Sequence, residues 1–171
     1  MANWCNVRLI VTGARHEVLS FSRSARMHPA TFFTPDMLGG EEQELCSERI
    51  EKIGPNLARK VYKFQARGDD GREHFRRLSR QFPVLCFVVV YFDPNNDPSG
   101  SFFITRGRAR SYELPAQLQE AVMAKHSLTE DVFNGEWSDD DDWHYWEASC
   151  ELMDLAEEHW KPTLHKALKF G

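Results

Sequence analysis

The chain has no run approaching the roughly 18 apolar residues of a membrane-crossing helix, so no spanning segment is expected. It has no Cys-x-x-Cys pair. Its four cysteines, Cys5, Cys46, Cys86 and Cys150, lie far apart, which supports neither a zinc ribbon nor a disulfide scaffold. They are expected to be reduced, with Cys5 and Cys86 serving as small core hydrophobes. No Gly-x-Ser-x-Gly is present, no cysteine has a histidine close in sequence, and the glycines at Gly68, Gly71 and Gly100 match no phosphate loop. The opening MANWCNVRL has neither a basic stretch nor a long apolar one, so no export signal is expected and the reading is cytoplasmic. Internal repeats and low-complexity linkers are absent as well.

What is there fits one globular domain of 171 residues, 42% hydrophobic and 27% charged. The net charge of −5 hides a division. Residues 1–112 carry 17 Lys and Arg against 12 Asp and Glu, a net of +5, whereas residues 113–171 carry 4 against 14, a net of −10. That asymmetry points to separate partners, or to one half acting on the other. The boundary divides the chain into a core, residues 1–112, and an acidic helical extension, residues 113–171.

The most informative stretch runs from Phe82 to Gly107. Val84 to Phe92 is apolar throughout, so this strand should be buried on both faces and its sheet needs cover on both sides. Residues 4–12 alternate, with Cys5, Val7, Leu9 and Val11 facing one way and Asn6, Arg8, Ile10 and Thr12 the other, which predicts a strand ended by Gly13. Val18, Leu19, Phe21, Ser22 and Ala25 predict a helix over 15–27. An extended piece is expected around Phe32 and Phe33. A polar insertion over 37–58 offers one helical stretch, Glu42 to Ile53, stopped by Gly54-Pro55. Residues 59–67 alternate again, Tyr62, Phe64 and Ala66 opposite Arg59, Lys63, Gln65 and Arg67, and a basic helix follows over 72–81. The last strand is expected to span Gly100 to Gly107 after a long loop. Helices then follow over 114–125 and from Asp141 or Asp142 onward, where the aspartates suit a helix N-terminus. In the second helix Trp143, Trp146, Cys150, Met153 and Trp160 form an apolar stripe, and Pro162 breaks or kinks it.

This order predicts an α+β fold: a ferredoxin-like antiparallel sheet with two helices on one face. The other face, part basic and part apolar, is matched by the acidic, tryptophan-bearing extension. If Trp146 is buried there, its truncation to alanine should cost about 3 kcal/mol or more.

Four segments stand out together: Ala2-Asn3-Trp4-Cys5-Asn6 with a strand ending Thr12-Gly13, the aromatic strand Phe32, Phe33 and Pro35, Leu78-Ser79-Arg80-Gln81-Phe82-Pro83 before Val84–Phe92, and the glycine-led strand from Gly100 to Gly107. In these segments the chain resembles the YubB-type ferredoxin-like domain family carried on conjugative plasmids and phages. The likeness covers about the first two thirds of the chain. The resemblance implies the fold and a mobile-element, bacterial setting; it implies no mechanism.

Three chemistries remain. His144, Glu147 and Glu151 share a helix face and could meet a divalent ion, but a solvated helix face accounts for them better, so no metal site and no cofactor are expected. A basic, aromatic sheet face would suit single-stranded nucleic acid through Arg8, Lys63, Arg67 and Arg106, with Phe102 or Phe103 either stacking bases or filling the core. The acidic net charge opposes that reading. Exposed tryptophans beside carboxylates make good anchors for a protein partner, which singles out Trp137, Asp139, Asp140, Trp143 and Trp146. The sequence thus favours a non-enzymatic accessory binding protein acting through protein contacts, with a single-stranded nucleic-acid binder as the alternative.

Overall fold

The computed structural model describes residues 4–33, 46–67, 71–92, 99–128 and 139–170. Seven strands and six helices lie among them. In chain order they are β1 (Trp4–Ala14), α1 (Arg15–Met27), α2 (Pro29–Phe32), β2 (Cys46–Ser47), β3 (Glu51–Lys52), β4 (Leu57–Arg67) and α3 (Arg72–Gln81). Then come β5 (Cys86–Phe92), β6 (Gly100–Thr105), β7 (Arg108–Glu113), α4 (Ala116–Lys125), α5 (Asp139–Glu158) and α6 (Lys161–Phe170). The fold is α+β, built on one open antiparallel sheet of order β2-β4-β1-β5-β6-β7, with β3 also pairing β4.

β1 lies between β4 and β5. Leu9 faces Tyr62 on one side and Val89 on the other. The alternation of β1 decides what each face buries. Cys5, Val7, Leu9 and Val11 join Val18, Phe21 and Ala25 of α1, Phe75 and Leu78 of α3, and Phe87, Phe102 and Ile104 in one apolar cluster. Aromatic edges organise it: Phe21 sits 5.1 Å from both Phe32 and Phe82 and 5.6 Å from Phe87. Ile10, Val61, Val88, Val90 and Phe103 point the other way into a second cluster, which Val122, Ala148, Leu152, Met153, Ala156 and Trp160 complete from the C-terminal helices. Because both clusters draw on β5, six of its seven residues are buried, as its unbroken apolar run requires.

The helix expected over Glu42 to Ile53 is not formed across its described part. Residues 46–47 and 51–52 instead pair with β4 as two short edge strands. Their exposed, polar side chains give no period-2 signal and leave little strand edge open. Phe32 closes the single turn of α2 rather than an extended piece, because Pro29 sits at the first helical position and pre-sets its φ. Pro35 falls outside the described residues.

The expected last strand is two strands. β6 ends at Thr105, and Arg106 and Gly107, at φ 51° and 75°, make a two-residue turn of the kind that matches strand twist. β7 then returns along β6, Phe103 opposite Arg110. Ser79 of α3 accepts a hydrogen bond from the Gly107 N–H at 2.8 Å, and Arg76 Nε donates to the Gly107 carbonyl at 3.2 Å. The turn is thereby fixed to α3.

Candidate functional site

α5 is 20 residues long, so it spans about 30 Å. Its sheet-facing ridge is Ala148, Leu152, Ala156 and Trp160, one residue per turn at four-residue spacing, with Ser149 and Met153 beside it. The alanines let the helix approach the sheet closely, and Trp160 closes the far end. That ring stacks on Phe103 at 5.8 Å and donates from Nε1 to Ser101 Oγ at 2.7 Å. Ser101 Oγ in turn donates to the Ala156 carbonyl at 3.1 Å. β6 and the end of α5 share a fully buried polar link, in which the indole N–H and the serine hydroxyl are both satisfied.

The charge division has a structural counterpart here. Arg8, on the α5 side of β1 with its side chain 12% exposed, reaches Asp154 at 2.5 Å and Glu157 at 3.3 Å. Arg59 of β4 meets the other oxygen of Glu157 at 2.7 Å. Burial works against the charge on Arg8, but the hydrogen bond and charge of Asp154, with Glu157 behind them, outweigh it and raise its pKa. Glu157 is therefore a carboxylate shared between two sheet arginines.

This arrangement corrects the expected stripe. Trp143 and Trp146 lie on the outer side of α5, 59% and 57% exposed, and stack on each other at 5.5 Å. Trp146 does not cover the sheet, and Cys150 is only half-buried. Asp139 and Asp140 open the helix, so it begins earlier than Asp141. Trp137 lies outside the described residues.

Of the nucleic-acid candidates, Arg8 and Lys63 stand directly opposite each other across β1 and β4, whereas Arg106 is remote from both. Arg8 is held by the two carboxylates of α5. Lys63 pairs with Glu48 at 2.6 Å near the β2 edge. Arg67 ends β4 opposite Trp4, and Arg106 occupies the β6–β7 turn, beyond β5 and β6 from Arg8. Phe102 and Phe103 are both buried, one in each cluster, so neither offers a ring to a base. The sheet face that would have served as a nucleic-acid platform is occupied by α5.

His144 lies 4.0 Å from Glu147, but Glu151 turns toward Lys125 and His126 of the α4 end, at 2.7 and 2.8 Å. Among the described residues no three His, Cys, Asp or Glu are arranged to hold a metal ion. Hydrogen bonds from Lys125 and then His126 lower the pKa of Glu151.

Two features were missed in the sequence. One is the company that Arg106 keeps beside the β6–β7 turn, the exposed Arg72 and Arg80 of α3 and Arg108 of β7, while Arg110 lies on the other face over the Phe103 and Trp160 rings. Arg72, Arg76 and Arg108 line a shallow cleft with Glu73, which pairs with Arg76. The other is Lys60, which occupies a core-facing register position between Ala58 and Tyr62. The alternation of β4 carries that signal, a cation in an otherwise apolar row.

No helix among the described residues is long and apolar enough to cross a membrane. No family model, curated protein or solved structure matches the chain.

Proposed function

We propose that this chain is an accessory binding protein acting through protein contacts, with Trp143 and Trp146, beside the acidic turn 139–142, as its contact surface. One observation carries the reading: two adjacent indoles, stacked and more than half exposed, sit on the side of α5 turned away from the sheet. An isolated exposed aromatic needs no explanation, but a paired aromatic surface flanked by carboxylates suits a partner with a basic rim and an apolar pocket. The neighbouring charges argue against a polyanion at this place.

The finer fold reading belongs with this proposal. The order β2-β4-β1-β5, with α1 after β1 and α3 between β4 and β5, supports a ferredoxin-like core in which β2 and β3 are a reduced edge strand and β6–β7 an addition. The YubB-type likeness, with its plasmid or phage setting in a bacterial cytoplasm, is proposed on the residues that carry it.

The test is differential capture by the full chain and a Trp143→Ala/Trp146→Ala variant of equal thermal stability. Proteins retained by the first and lost by the second, with affinity weakened by salt, support the reading. Identical retention by both overturns it.

A second reading, single-stranded nucleic acid, is favoured by the arginines beside the β6–β7 turn rather than by the sheet face. It requires oligonucleotide binding that falls with salt and weakens in Arg106→Gln/Arg108→Gln.

A further inference from the structure

A cleft of about 520 Å³, within the range of small-molecule sites, opens between the C-terminal half of α1 and the β2–β4 edge. Arg23 and Arg26 stand on α1, Lys60 rises from β4, and the hydroxyls of Ser22, Ser47 and Tyr62 lie around them. Leu19, Pro29 and Ile50 supply an apolar side.

Two features of this cleft are hard to explain as packing. Lys60 is only 8% exposed, yet among the described residues no carboxylate pairs with it directly: its ammonium donates to the Glu48 backbone carbonyl and lies 5.3 Å from the Tyr62 ring. Burying an ammonium among apolar residues is costly, and placing Arg26 near it adds repulsion. Both effects lower the pKa of Lys60, burial first and Arg26 second, and the charge of Glu48 offsets them only in part. Tyr62, on the same face of β4, has a buried hydroxyl without a hydrogen bond of good geometry, although Ser22 is beside it. Among the described residues neither Arg23 nor Arg26 is paired with an acid. An anion between Arg26 and Lys60 would relieve the repulsion and accept from the Tyr62 hydroxyl.

We propose that this cleft binds a small phosphate monoester, its phosphoryl group held by Arg23, Arg26, Lys60 and Tyr62 and its organic part against Leu19 and Ile50. A doubly charged phosphoryl group suits three cations better than a carboxylate does, and arginine's planar fork matches its oxygens. The site lies on the opposite side of the sheet from α5, so it is independent of the tryptophan surface.

The experiment titrates the full chain with inorganic phosphate, adenosine monophosphate and adenosine by calorimetry at low salt, near neutral pH. Saturable binding of the first two, with adenosine at least about tenfold weaker, is expected. Arg26→Gln, an exposed position that leaves the core intact, should weaken binding about tenfold or more, and Tyr62→Phe by a smaller factor. Absence of saturable binding by either phosphate probe overturns the proposal. So does binding that Arg26→Gln leaves unchanged, or that Arg106→Gln/Arg108→Gln removes instead.

Discussion

Trp160 donates its indole N–H to the Ser101 hydroxyl at 2.7 Å, and through it to the backbone of α5 at Ala156. The acidic segment is thus bound into the core chemically as well as by apolar contact. Trp160→Ala should cost about 3–5 kcal/mol, combining lost burial with a cavity over Phe103. Ser101→Ala leaves the indole N–H and should cost about 1–3 kcal/mol. Urea unfolding of the two variants checks both values.

Trp146→Ala should change stability by less than about 0.5 kcal/mol, because the ring is exposed and its main contact is Trp143. A loss above about 2 kcal/mol in the same urea experiment would mean the ring is buried after all.

Glu157 and Asp154 both meet Arg8, but their settings differ. The Glu157 side chain is 17% exposed and serves Arg59 as well, whereas that of Asp154 is mostly solvated. Glu157→Ala should cost about 2 kcal/mol by leaving two partly buried guanidiniums short of a carboxylate. Asp154→Ala should cost less than about 1 kcal/mol. Thermal unfolding at low and high salt separates them, since the exposed pair is the more strongly screened.

Glu151 links α5 to the end of α4 through Lys125 and His126. Its pKa is lower folded than unfolded, so its contribution is complete above the usual carboxylate range and fades as pH falls through that range. The unfolding temperature of Glu151→Gln should therefore lie below that of the parent near neutral pH. The gap should close toward zero below about pH 4. A gap independent of pH would show that the carboxylate's charge plays no part.

Much of the sheet was legible because burial leaves a period. The alternation of Cys5, Val7, Leu9 and Val11 and the unbroken run in β5 both report which faces are covered. The outer face of α5 was misread for a physical reason. Weighting the bulkiest residues picks out Trp143 and Trp146, whereas close helix-to-sheet approach uses small residues, and the true ridge runs through Ala148 and Ala156. β7 was invisible because Arg108, Ala109, Arg110, Ser111, Tyr112 and Glu113 are at most half-buried, and an edge strand carrying charge shows little apolar period. The site residues were harder still. Arg8 and Glu157 are 149 positions apart, and only the fold makes them partners.

The central claim is that residues 113–171 are a structural cover for the second sheet face, leaving Trp143 and Trp146 outward. Thermal unfolding and sedimentation of the full chain beside a chain ending at Tyr112 tests it most directly. The account predicts one cooperative transition for the full chain, and aggregation or loss of that transition for the short one, whose Ile10, Val61, Val88 and Phe103 would be bared. A short chain that stays monomeric and unfolds at the same temperature would contradict it.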